Sequence, residues 1–327
     1  MHHGVRNELR RIGELLDSGV YPVVRNGGVV VPREPIVSAQ ILGQESKHVR
    51  PGKEGAKAGP RAPESERQGT SFAGASWSPS GPGTPRSAAS LVVPELRKKF
   101  ANELAAVEEA YPGTRHWLDD EGMWLVVESS LLPGFSQKAI FVIAIQFTSG
   151  LVRGWGFWAT EAVGYEWIGP RHTNFPDGSI CAFEPTDGTW TVWSPLVCLL
   201  DLYTVWAVRQ LHLRTFGRWP GYQSVRHPYE RILELREDEH CGCERYTKLY
   251  GKCCWDADRA LSQIREAVLF TLRMHGGLRR PPSAILNFLR NCSCLPDHRD
   301  IFPSVSSSAE IAGMPPRTIP DKGQGEN

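Results

Sequence analysis

Residues Ala139 to Phe147 constrain this chain more than any other stretch. Ile140, Val142, Ala144 and Gln146 alternate with Phe141, Ile143, Ile145 and Phe147, so the segment is apolar on both faces. A strand of that kind must be covered above and below, which makes it the centre of a sheet. Flanking segments supply partners. Met123 to Glu128 reads as the preceding strand, and Thr148-Ser149-Gly150 turns the chain into Leu151 to Trp158. Pro94 is expected to open a helix with Leu96, Phe100, Leu104 and Val107 on one face, and Pro112-Gly113 to end it. A helix followed by an antiparallel meander is an α+β pattern.

The rest of the chain sorts by composition and periodicity. Residues 1–36 read as a short helix, with Leu9, Ile12, Leu15 and Leu16 on one face, and a hairpin turning at Asn26-Gly27-Gly28. Residues 37–90, above all those after 43, are Gly, Ser, Pro, Lys and Glu with hardly any large apolar side chain. They are expected to form a disordered linker. The body is expected over 91–232, a smaller helical unit over 233–300, and a disordered tail over 301–327. After an irregular segment at about 165–195, Pro195 starts an apolar helix to about His212. Asp256 is expected to cap one further helix ending at Gly276-Gly277, and Ser283 another to about Arg290.

With 37 Lys and Arg against 36 Asp and Glu, the chain carries no excess charge for a wide nucleic-acid-gripping face. Eight cysteines in 327 residues are too few for a disulfide scaffold. The polar opening residues do not read as a signal peptide. The apolar run Leu196 to Leu213 is interrupted by Asp201 and Arg209, against a membrane span. A soluble cytoplasmic protein is expected.

Two groups of residues carry chemistry. The first is His172-Thr-Asn174-Phe-Pro-Asp177-Gly178-Ser-Ile-Cys181. A cysteine in extended chain beyond the last strand sits at the surface of a rigid sheet, where polar neighbours can activate it as a nucleophile. Asn174 and His172 are close enough in sequence to fold back beside it, and an amide there can stabilise an oxyanion. Asp177-Gly178 supplies the turn. Taken singly, Asn174 reads as a turn residue, His172 as a structural hydrogen-bonder and Cys198 as core. The tryptophans at 155, 158, 167, 190, 193, 206 and 219 read as packing.

The order His172-x-Asn174, Gly178-Ser-Ile-Cys181 and Trp193-Ser194-Pro195 resembles the ubiquitin-conjugating (E2-like) family. Thr173 stands where that family has Pro. With Thr215-Phe-Gly217-Arg-Trp219-Pro-Gly221 and His227-Pro228, the stretch at about 95–230 is most similar to the E2-like proteins of type II CBASS antiphage systems. The resemblance implies an E2-like fold and a thioester mechanism. Cys181 would carry the C-terminal carboxyl of a partner protein and pass it to an amine. That acyl donor would be a cyclic-nucleotide synthase or a ubiquitin-like protein. Activation would come from a separate adenylating enzyme, since no phosphate-binding Gly-rich loop with Lys-Ser or Lys-Thr is present. Asp177, Glu184 and Asp187 flank the cysteine and are candidates to orient the amine. Two rivals remain open. One is an inactive E2-fold binding module. The other is a cysteine hydrolase using His172 or His227 as base.

The second group is His240-Cys241-Gly-Cys243 with Lys252-Cys253-Cys254. Cys-x-Cys and Cys-Cys across a short basic and aromatic loop can close tetrahedrally on one zinc ion in a structural role. The pattern resembles the SEC-C zinc motif, with Arg245, Lys248 and Lys252 available for partner docking. Cys292-Ser-Cys294 near His298 offers a weaker half-site.

Overall fold

The computed structural model describes residues 3–25, 27–30, 86–132, 138–160, 164–183, 189–243, 247–273, 279–291 and 295–302. Helix α1 (His3–Asp17) leads into a hairpin of β1 (Val23–Arg25) and β2 (Gly28–Val30), with Gly27 at φ 66° in its turn. Helix α2 (Arg86–Ala110) follows, then five antiparallel strands in simple meander order. They are β3 (Arg115–Leu118), β4 (Gly122–Glu128), β5 (Ala139–Gln146), β6 (Val152–Thr160) and β7 (Gly164–Trp167). Helices α3 (Leu196–Phe216), α4 (Pro228–Glu234), α5 (Trp255–Ala260), α6 (Gln263–Arg273), α7 (Ser283–Asn291) and α8 (His298–Ile301) complete the described chain.

Strand β5 is the centre of this α+β arrangement, and its two faces serve two cores. Phe141, Ile143 and Ile145 join Met123, Leu125 and Val127 against Leu9, Ile12, Phe100, Tyr203, Trp206 and Leu211 from α1, α2 and α3. Val142 and Ala144 join Trp124, Val126, Trp155 and Phe157 against Ile285, Phe288 and Leu289 of α7, with Ile301 and Phe302. Burying each of the Val, Leu, Ile, Phe and Met side chains among them contributes about 1.5–3 kcal/mol.

Two glycines on β6 let α3 approach. A Cβ at Gly154 would lie 2.4 Å from Cε2 of Tyr203, and one at Gly156 2.7 Å from Cζ3 of Trp206. Helix α3 runs to Phe216, a turn beyond the expected end. It stops where Gly217 takes a left-handed conformation and donates to the Leu213 carbonyl. It is long and apolar enough to cross a membrane, yet 67% of its most apolar window is buried in the core.

Several expectations are corrected. Helix α2 begins at Arg86, not Pro94, so Arg86 to Ser90 at the end of the expected linker is helical. Pro94 sits inside the helix and leaves the Ser90 carbonyl without its usual partner. The rest of the linker and the tail after Phe302 lie outside the described residues. The expected single helix from Asp256 is two helices broken at Leu261-Ser262, and Cys254 occupies the N-cap position. Helix α1 and the hairpin after it pack into the main body: Leu9, Ile12 and Leu16 are fully buried, and both Asp17 oxygens are used, by the Gly221 N–H and by Arg218. Cys198, expected in the core, is exposed, because α3 turns that side away from the sheet. Trp193 is also exposed, unlike Trp155, Trp158, Trp190, Trp206 and Trp219.

Candidate functional site

The segment from Ile168 to Cys181 is hung on β6 by backbone bonds. Ile168 N donates to Gly156 O at 2.9 Å, and Ile180 N donates to Gly154 O at 2.6 Å. Between them the chain folds back on itself. Thr173 and Ile180 form an antiparallel bridge, and Cys181 N donates to His172 O at 3.1 Å. Gly178, at φ 63°, makes the turn, and the Arg280-Pro281 backbone lies against it where a Cβ would otherwise sit. Cys181 is half-buried at the end of this fold-back.

Asn174, Asp177 and Cys181 are thus brought into one loop. The Asn174 amide Nδ2 donates to Ser179 Oγ and to the Ile180 carbonyl, each at 3.2 Å, so it reaches the residue next to the cysteine. Both of its N–H bonds are then engaged within the loop. Asp177 accepts the Ser179 N–H at 2.9 Å and pairs with Arg153 at 3.1 Å, which fixes the turn. Glu184 and Asp187 lie outside the described residues.

His172 is brought close through its backbone only. Its ring Nε2 is 2.9 Å from Gln223 Oε1 and its ring lies 4.1 Å from that of Trp219. Burial, then the neighbouring Arg171 cation, push its pKa well below the usual histidine value, so it stays neutral. His227 serves as the cap of α4, accepting the Tyr229 N–H, and lies 5.0 Å from the Phe270 ring.

Tyr203 and Arg153 also neighbour the cysteine, although both lie outside the His172–Cys181 motif. The Tyr203 phenol has its pKa raised, first by burial and further by Cys181, while Arg153 opposes the shift. The three groups therefore share one electrostatic neighbourhood. The discoverable signal was Gly154-Trp-Gly156 on a strand beside an apolar helix, a pattern that invites close aromatic approach.

The second site is built by a hairpin-like return. His240 and Leu249 form an antiparallel bridge, and Cys241 N donates to Lys248 O at 2.8 Å. A 3-10 turn at Tyr250–Lys252 then brings Cys253 and Cys254 back to Cys241 and Cys243. The four sulfurs lie within 4.8 Å of one another. Cys243 and Cys253 are 3.6 Å apart and Cys253 and Cys254 3.8 Å. Ligands about 2.3 Å from a tetrahedral zinc are separated by about 3.8 Å, and a disulfide needs about 2.05 Å. The four thiols therefore fit a single metal ion. Burial pushes the Cys254 thiol up to about 11 and the Cys241 thiol higher still. A bound cation would take the place of those protons.

Beneath the cluster, Arg231 holds Asp258 through two bonds of 2.6 and 2.7 Å, and Tyr250 Oη donates to Asp258 at 3.0 Å. Arg231 interacts electrostatically with Cys254 and Cys241, so a positive charge backs the sulfurs. Lys248 and Lys252 are exposed, and Arg245 lies outside the described residues. So do Cys292 and Cys294. His298 is buried, with neither ring nitrogen hydrogen-bonded among the described residues.

Comparison of the chain with protein-family models, curated proteins and solved structures gives no match.

Proposed function

We propose that Cys181 is the acyl-carrying nucleophile of an E2-like transferase, and that Cys241, Cys243, Cys253 and Cys254 hold a structural zinc ion. One observation carries the first half. Cys181 is a half-buried thiol at the end of a loop clamped to a central sheet, with an Asn amide anchored one residue away. In this reading a partner's C-terminal carboxyl, activated elsewhere, forms a thioester with the Cys181 sulfur. An acceptor amine then attacks that carbonyl and the thiolate leaves. The scaffold contributes positioning, which is worth most when both reactants are fixed. A CBASS-type cyclic-nucleotide synthase is the acyl donor favoured by the motif resemblance, and a ubiquitin-like protein is the alternative.

A binding module on the same fold is the second reading, and one observation favours it. Both Asn174 N–H groups are bonded inside the loop, so stabilising an oxyanion requires one of them to exchange partners. A cysteine hydrolase is disfavoured, because His172 is held by Gln223 and His227 caps a helix.

The deciding experiment is co-expression with the candidate donor and its adenylating enzyme. An adduct cleaved by hydroxylamine and lost in Cys181→Ala supports the transferase. A folded protein that forms no such adduct while still binding the partner supports the module.

A further inference from the structure

The loop that carries Cys181 and the hairpin that carries the cysteine cluster are joined by buried polar contacts. Gln223 is one link. Its Oε1 accepts from Arg171 Nη2 and lies against His172 Nε2, each at 2.9 Å. Its Nε2 donates to the His240 carbonyl at 2.6 Å. Glu239 is the other. It is fully buried, binds both terminal nitrogens of the Arg171 guanidinium, and accepts the Trp219 N–H at 2.7 Å. His240 and Glu239 directly precede Cys241, while Arg171 and His172 hold the base of the fold-back. The His172 carbonyl accepts the N–H of Cys181 itself.

The hairpin's own apolar core is small. Val225, Leu235, Cys241 and Tyr250 are its buried members, packed by Cys243, Cys253, Cys254 and Trp255. So few side chains give little burial without a cross-link, and a metal ion is the cross-link that the sulfurs are arranged for. Loss of the ion would free His240 and Glu239. Arg171 would then be a buried cation without its anion, an arrangement that forces the loop to rearrange.

We propose that Gln223 and Glu239 are positioning residues through which a metal ion on the four cysteines sets the exposure of the Cys181 thiol. The inference takes from the proposed function only the metal site and the choice of Cys181. Its test uses no acyl donor, so failure of thioester formation leaves it standing.

The full-length protein is loaded with zinc or stripped with a strong chelator under reducing conditions. Iodoacetamide labelling of Cys181 is followed by mass spectrometry, with the exposed Cys198 as internal reference. Stripping is expected to raise the Cys181-to-Cys198 rate ratio by about 2- to 30-fold, the range spanned by couplings through such networks. Amide exchange over β5 should stay slow, showing that the change is local. Zinc-loaded Gln223→Met should show the raised ratio already, keep one metal per chain, and respond no further to chelation. An unchanged ratio on stripping the natural protein overturns the proposal. So does loss of β5 protection together with the ratio change, because general unfolding then accounts for it. Should Gln223→Met not fold, the ratio and the β5 exchange of the natural protein decide between these outcomes.

Discussion

Arg171 and Glu239, 68 positions apart, form a buried ion pair in which both guanidinium terminal nitrogens meet the carboxylate, with side-chain exposures of 7% and 0%. Pairs this deep gain Coulomb energy and lose hydration in nearly equal measure. What they do strongly is penalise a missing partner. Glu239→Ala should therefore destabilise the protein by about 3–5 kcal/mol, because it strands the cation. Arg171→Met with Glu239→Leu should recover much of that loss. Urea denaturation of the three proteins measures the difference, and equal midpoints for single and double variants would contradict the assignment.

The cysteine cluster makes a stoichiometric prediction. The purified chain should carry one zinc per molecule by elemental analysis, and Cys241→Ser should lose it. Cobalt-loaded protein should show the charge-transfer absorption of a tetrahedral four-sulfur site. Chelation should lower the thermal midpoint of the natural protein and leave that of Cys241→Ser unchanged. A chain that binds no metal but folds equally well would refute the structural role.

Local patterns were legible and long-range pairings were not. The two-sided apolarity of β5 announced its central place, and the Cys-x-Cys and Cys-Cys spacing announced the cluster, because both are written in consecutive residues. Strands β3 and β7 carry no such mark. Each has four residues at a sheet edge, and neither has a fully buried side chain to mark it. The commitment of His172 to Gln223 was unreadable, since its partner lies 51 positions away. Exposure of Cys198 was equally hidden, because α3 is apolar around most of its circumference and periodicity gives no outward face. The attachment of α1 to α3 rests on Gly13, whose missing Cβ makes room for His212, a fit visible only in three dimensions.

Gly154 combines packing with loop support. Gly154→Ala would press a methyl group onto the Tyr203 ring, with contacts of 2.4 Å to Cε2 and 2.7 Å to Oη. Overpacking of that kind costs about 1–3 kcal/mol. Because the Gly154 carbonyl also holds Ile180, the displaced strand should alter Cys181 labelling as well as the melting temperature. Gly113→Ala is the useful contrast. A Cβ there meets nothing within 4 Å, so its cost should come from its φ of 86° alone and leave Cys181 labelling unchanged.

Acid should weaken the fold before most carboxylates titrate. His172, His212 and His298 all have folded-state pKa values lowered by burial. Each is neutral when folded and takes up a proton more readily when unfolded, where its pKa is about 6.5. The unfolded state therefore binds more protons below that value. The contribution of these histidines is complete above about pH 7 and is lost as pH falls toward their folded values. Each can supply a slope of at most about 1.4 kcal/mol per pH unit. Asp201 and Glu234 act in the opposite direction, since burial raises their pKa values and protonation favours the folded state. Their gain sets in as pH falls through the raised folded values and is complete below the unfolded ones, so it offsets part of the histidine loss, whose onset lies near the unfolded histidine value, between about pH 7 and pH 6. Melting temperatures across that interval should fall steadily. A flat profile would contradict the assignment of these three rings as buried and neutral in the folded protein.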